Sequence, residues 1–145
     1  MFRNFIVGST VALAASLTAC GSDPNDALST AATTTTQPPQ PTSAVTYPTN
    51  GTAKGIIALD NNFLPGNLGV VAGTKVVFTN NGRNPHNIVP AGDPKATTWG
   101  ALDSAFQPKA TYGRVFDRPG TYVYYCTIHG SPKAGMFATI TVTAP

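Results

Sequence analysis

Short runs of apolar and β-branched residues alternate with turns along residues 53–145, and no window there has a convincing helical period. Turn formers such as Asn81-Gly82 and Pro119-Gly120 separate the runs. The pattern predicts strands at 55–60, 68–71, 74–80, 87–89, 111–117, 121–126 and 136–143, with a polar, irregular segment at 93–110. Seven or so short strands predict an all-β sandwich or barrel of mainly antiparallel sheet.

Side-chain alternation along the last two predicted strands indicates where the core lies, because residues two apart share a face. One face carries Tyr122, Tyr124 and Cys126, and the next strand places Met136, Ala138, Ile140 and Val142 together. If these faces point inward, Cys126 and Met136 meet at one end of the sandwich.

The first twenty residues are typical of an export signal. Arg3 precedes an apolar run over 5–17, which is too short for a confident membrane span, and small residues follow. The stretch Leu17-Thr18-Ala19-Cys20-Gly21 resembles the bacterial lipobox, so we expect a signal peptide at 1–19 and lipid on Cys20. An ordinary signal peptide that ends near a cysteine is the alternative.

Residues 20–52 are rich in Ser, Thr, Pro and Gln and contain almost no large apolar side chains. Such a segment cannot offset the entropy of ordering, so it is predicted to be a disordered tether, whose glycosylation stays open. The folded domain is predicted at 53–145. We therefore expect an exported protein, lipid-anchored at the extracytoplasmic face of a bacterial membrane, in the periplasm or at the cell surface.

Charge excludes two classes of function. Without Arg3 the chain has eight basic and six acidic residues and no lysine- or arginine-rich run, so a nucleic acid is not an expected partner. It contains no glutamate and its six aspartates are scattered, which argues against hydrolysis by paired carboxylates.

Four soft or intermediate metal donors stand out once the signal is removed: His86, Cys126, His129 and Met136. They are the only histidines, the one thiol left after lipidation and the one methionine. Two histidines, one thiolate and a distant thioether suit a blue-copper centre. Zinc favours closed Cys and His sites, and iron–sulfur clusters need several cysteines. Each residue alone could equally be a core or surface residue.

Several motifs resemble those of the blue-copper proteins (cupredoxins), and plastocyanins most closely. They are Asn62-Phe63-Leu64-Pro65, Ala72-Gly73-Thr74, Val76-Val77-Phe78-Thr79-Asn80, Pro85-His86-Asn87-Ile88-Val89 and Pro119-Gly120-Thr121-Tyr122. The resemblance implies a Greek-key sandwich with one mononuclear type 1 copper, held by His86, Cys126, His129 and an axial Met136. It also implies that Asn87 braces the cysteine-bearing loop.

The resemblance further implies one-electron transfer rather than an enzyme, with redox proteins docking transiently near His129 and Tyr125 as a remote acceptor position. A surface tyrosine is the alternative for Tyr125. Six residues separate His129 from Met136, two more than in plastocyanin, which leaves the axial bond open. We expect a monomer, attached to the membrane through Cys20. Copper storage, delivery or resistance is the alternative function, and a metal-free scaffold module is a weaker one.

Overall fold

Eight strands and one short 3-10 turn, at Asp103–Ala105, make up the regular structure of residues 45–145, the part of the chain that the computed structural model describes. The strands are β1 (Ala53–Ala58), β2 (Phe63–Leu64), β3 (Asn67–Val71), β4 (Thr74–Asn80), β5 (Val89–Pro90), β6 (Thr111–Phe116), β7 (Gly120–Ser131) and β8 (Ala134–Thr143). They form two four-stranded sheets, ordered β2-β1-β4-β6 and β3-β8-β7-β5. The predicted all-β sandwich is confirmed.

Both sheets are mixed rather than purely antiparallel. Strand β1 runs parallel to β4, and β3 runs parallel to β8, while the remaining pairs are antiparallel. Parallel neighbours need a crossover between the sheets, and short apolar runs do not encode which runs will pair. Strand β2 was not predicted because it has only two residues.

The core lies between the two sheets and has the predicted inward faces. Tyr122, Tyr124 and Cys126 are buried on β7, and the even-numbered residues 136–142 are buried on β8. Aromatic rings fill the space between them in edge-to-face contacts, with Phe63 and Phe78 both packed on Tyr124. Trp99 and Phe116 pack together on the same cluster.

The residues ahead of β1 that the structure describes contact the sandwich. The backbone N–H of Tyr47 donates to the carbonyl of Asp117, and the Asn50 side chain donates to the Ala72 carbonyl and the Thr74 hydroxyl. These bonds attach Tyr47 and Asn50 to the sandwich, just ahead of the domain predicted at 53–145. The predicted signal peptide, Cys20 and the tether up to residue 44 lie outside the described residues. Within residues 45–145, no helix has the length and apolar character needed to cross a membrane.

We predict that Tyr124→Phe leaves the domain as stable as the parent or more stable. The Tyr124 hydroxyl is fully buried and has no hydrogen-bond partner among the described residues, and burial raises its pKa. Removing an unsatisfied buried hydroxyl removes a desolvation cost. The measurement is the free energy of unfolding in urea.

Tyr122→Phe is the matched control, because the Tyr122 hydroxyl donates to the Arg118 carbonyl at 2.8 Å. We expect that control to lose about 1 kcal/mol. A Tyr124→Phe loss as large as the control's would show that the Tyr124 hydroxyl is bonded in solution.

Candidate metal centre

A break in the ladder between β7 and β8 creates the site. The two strands are paired from Gly120↔Val142 to Tyr125↔Phe137, and pairing resumes at Gly130↔Gly135. Between these points β7 contains four residues, 126–129, whereas β8 contains only Met136. The excess residues on β7 must bulge away from the ladder, which separates the strands at the end of the core. Cys126 and His129 begin and end the bulge, and Met136 lies opposite.

The six residues between His129 and Met136 form regular structure, although a loop was predicted over 127–135. They form a tight hairpin, in which Gly130 pairs with Gly135 and Ser131 with Ala134, so Pro132 and Lys133 are the turn. Neither glycine leaves room for a side chain. A Cβ on Gly130 would lie 2.5 Å from the Met136 nitrogen, and one on Gly135, which has φ of +75°, would lie 2.5 Å from the His129 carbonyl oxygen. The longer loop is therefore a rigid extension that fixes the backbone next to both ligand candidates.

The loop after β4 brings His86 to the same end of the sandwich. Asn80, fully buried at the last inward position of β4, organises this loop with its side chain. Its amide nitrogen donates to the carbonyls of Asn84 and Phe106, and its amide oxygen accepts from the N–H of Gly82. The His86 N–H donates in turn to the Phe106 carbonyl.

Three of the four predicted ligands converge with their donor atoms facing one another. The Cys126 Sγ lies 3.7 Å from Nδ1 of His86 and 3.6 Å from Nδ1 of His129, and all three donor atoms lie within 4.8 Å of one another. With the bond lengths that zinc makes to sulfur and nitrogen, a sulfur and a nitrogen bound to one ion at tetrahedral to trigonal angles lie about 3.5 to 3.8 Å apart. The spacing therefore fits a single metal ion.

Burial divides the ligand candidates into two groups. His86, Cys126 and Met136 have no exposed surface, whereas His129 is partly exposed. Burial, together with the nearby His129 ring, lowers the pKa of His86. The lowered pKa keeps the His86 ring neutral at neutral pH, which is the form of imidazole that binds a metal.

The donor set fits copper. A thiolate and two imidazoles in one plane, with a thioether beside them, form the arrangement that proteins use for type 1 copper. Met136 is buried in the same apolar cluster as Cys126, so its thioether would be the fourth donor to the ion. The ion would be held by His86, Cys126 and His129, with Met136 across the break in the ladder.

Asn87 ties the His86 loop to the cysteine-bearing strand. It is buried, its amide nitrogen donates to the Thr127 hydroxyl at 2.7 Å, and its amide oxygen accepts from the Thr127 N–H at 2.8 Å. These bonds join the residue that follows His86 to the residue that follows Cys126. They support the bracing role that the resemblance implies for Asn87.

Asn80 is one residue whose role the sequence did not reveal. It was treated as the end of a strand before a turn, although it occupies the same inward face as Val76 and Phe78. A polar side chain at an inward position is costly unless it is bonded, and this could have marked it as a structural residue. Tyr125, by contrast, was noted, and it lies half-buried on the outer face of β7, paired with Phe137.

Comparison with known proteins gives a consistent result. The model of the family of copper-binding proteins of the plastocyanin/azurin type matches residues 53–143. Plastocyanin from Rumex obtusifolius is 40% identical over 87 residues, which cover 55% of this chain and 86% of the relative. Plastocyanin B'/B'' from Nicotiana tabacum is 39% identical over the same length and coverage.

Solved structures agree with the sequence relatives. A purple cupredoxin from Nitrosopumilus maritimus superposes with a TM-score of 0.50 at 26% identity, covering 61% of this chain and 98% of that one. A reduced amicyanin with a single tryptophan-to-tyrosine substitution gives a TM-score of 0.51 at 21% identity, over 72% of this chain and 97% of its own. The second likeness concerns the fold alone.

We predict that Asn87→Ala destabilises the metal-free domain by about 2 kcal/mol. The substitution removes two short hydrogen bonds and leaves the Thr127 N–H without its acceptor. Thr127→Val is the matched control, since it removes only the bond to the hydroxyl and should cost less. Urea unfolding of both variants checks the order, and equal stabilities would contradict the bracing role.

Proposed function

Because the chain belongs to the plastocyanin/azurin family of copper-binding proteins, we propose that this blue copper protein carries single electrons between redox partners. The observation that carries the proposal is the approach of two imidazole nitrogens to 3.6 and 3.7 Å from one buried cysteine sulfur. Copper supplies the one-electron couple when bound. The chain's part is to hold the donors in one geometry, so that little needs to move when the charge changes.

A carrier, rather than an enzyme, is favoured by the donor set. The candidate ligands are all protein side chains, and three of the four are fully buried, so a substrate has no evident open position at the metal. The hydrogen bonds of Asn80 and Asn87 hold both ligand-bearing loops to the sandwich. This rigidity suits electron transfer and would hinder the access that catalysis requires.

Partner docking is proposed at the metal end, around His129. There the exposed apolar side chain of Ile128 lies next to the partly exposed ring of His129 and forms an apolar rim with it. Such a rim favours weak, short-lived encounters. Residues 45–145 contain eight basic and four acidic side chains, so a partner with net negative charge is favoured.

Attachment to the extracytoplasmic face of a bacterial membrane is proposed from the lipobox-like stretch that ends at Cys20. Acyl chains on that cysteine would tether the domain, and the Ser/Thr/Pro-rich segment would give it reach. Copper storage or delivery is the competing function. The burial of Cys126, His86 and Met136 disfavours it, because release to a recipient needs access to the ligands.

We predict that the purified domain turns intensely blue with cupric ion and cycles reversibly by one electron in voltammetry. Cys126→Ser should abolish the colour, since the colour arises from thiolate-to-copper charge transfer. Met136→Leu should keep the colour and shift the potential, because only the weak axial donor is lost.

The same experiment separates the two functions. Slow loss of copper to a chelator together with fast reversible voltammetry supports electron transfer. Rapid loss to the chelator with sluggish voltammetry would favour delivery, and a colourless parent protein would contradict the blue-copper proposal.

We predict that the full-length chain, expressed in a bacterium, incorporates labelled palmitate and partitions with membranes. Cys20→Ser should abolish both, because the acylated thiol is gone. Cys126→Ser is the matched control, because it changes the other cysteine and leaves Cys20 in place. This variant should still be labelled. Labelling of the Cys20→Ser variant would contradict the proposed anchor.

A further inference from the structure

An ion pair stands directly behind the buried histidine ligand. Asp60 accepts from the Arg83 backbone N–H with Oδ1 and from the Arg83 side-chain Nε with Oδ2, at 2.6 and 2.9 Å. Arg83 is 90% exposed and Asp60 only 27%. The hydrogen bonds to Arg83 lower the pKa of Asp60, so the carboxylate is charged at neutral pH.

Gly82 is the point at which this carboxylate and His86 come together. A Cβ on Gly82 would lie 2.9 Å from Asp60 Oδ1 and 2.9 Å from His86 Nε2. Asp60 Oδ1 and His86 Nε2 are therefore separated by at most twice 2.9 Å. Gly82 does not have a positive φ, so its backbone conformation does not demand glycine. The reason for glycine here is the close approach.

Parallel pairing explains why Asp60 and Gly82 meet. Strands β1 and β4 run in the same direction, and Ala58 pairs with Asn80 at their ends. Asp60 and Gly82 each lie two residues beyond that pair, so the two loops leave the sheet side by side. The arrangement follows from the register of the sheet rather than from a chance contact between exposed loops.

His86 Nε2 has no hydrogen-bond partner among the described residues, and it is buried. When Nδ1 binds a metal, the proton of the neutral ring must be on Nε2. A cation bound at Nδ1 polarises the His86 ring, and the Nε2–H group then presents positive charge on the side of the ring that faces Asp60. A fixed negative charge there stabilises the more positive, cupric state relative to the cuprous state.

We infer that Asp60, held by Arg83 and brought close by Gly82, is a positioning residue that acts through the His86 ring and lowers the reduction potential of the site. The inference rests on the proposed function, because it concerns the same metal centre. Asp60 touches none of the electron-carrying atoms and acts through His86.

Voltammetry of the copper-loaded protein tests the inference through Asp60→Asn. This variant keeps an oxygen for the Arg83 N–H and removes only the charge. We expect a higher reduction potential than that of the parent. The equilibrium between the two copper states should shift about three- to tenfold toward the cuprous state, which corresponds to about 30 to 60 mV for one electron. The blue absorption should remain, and Asp60→Glu, which restores the charge, should move the potential back toward that of the parent.

Asp93→Asn is the matched control. Asp93 also has a carboxylate bonded to neighbouring hydroxyl and N–H groups, from Thr97 and Thr98, but it lies beyond β5, on the chain leading away from the donors. It loses the same charge and should leave the potential near the parent value. Equal potentials for Asp60→Asn and Asp93→Asn would overturn the inference.

A second readout does not depend on electron transfer. In the zinc-loaded protein, Asp60→Asn should shift the nuclear magnetic resonance signal of the His86 Nε2–H and leave that of the His129 ring unchanged. Gly82→Ala, whose Cβ would force the two groups apart, should shift the same signal. Unchanged His86 signals in both variants would overturn the inference, whereas a parent protein that never turns blue would instead contradict the proposed function.

Discussion

The geometry of the metal end depends on one constraint: between the pairs Tyr125↔Phe137 and Gly130↔Gly135, β7 has more residues than β8. Four residues on one strand face one residue on the other, so the ladder must open, and the flanking pairs prevent the opening from moving along the strands. Cys126 and His129 are placed by this geometry at the two ends of the bulge. The site therefore inherits the rigidity of the sheet.

Buried amide side chains hold the third donor in place. Asn80 bonds the loop that carries His86 to Phe106, and Asn87 bonds it to Thr127, so the loop is fixed on both sides of the histidine. Each amide is buried and satisfied on both its nitrogen and its oxygen, which makes the network rigid rather than costly. Preorganised donors need no large rearrangement when the metal changes charge.

Local pattern was enough to predict the all-β fold, the inward faces of β7 and β8, and the ligand candidates, because alternation and side-chain chemistry are local properties. The hairpin at residues 130–135 is local, but its turn, Pro132-Lys133, lacks the usual hairpin-turn residues, so 127–135 was predicted as a loop. Pairing of distant strands is not local. The parallel neighbours of β1 and β3 depend on which distant strands meet. Asp60 was missed for the same reason, since only the register of β1 on β4 brings it to His86. The signal peptide and Cys20 lie outside the described residues, so they stay predictions.

The two histidines are the same residue type in unlike surroundings, and the difference suits electron transfer. His86 is fully buried, with an anionic side chain behind its outer nitrogen, whereas His129 is partly exposed beside an apolar residue, Ile128. A negative charge beside the buried ring favours the more positive state of the metal. The exposed ring gives a partner a short path to the metal. Separating these tasks lets the potential be set at His86 without changing the surface around His129 on which a partner docks.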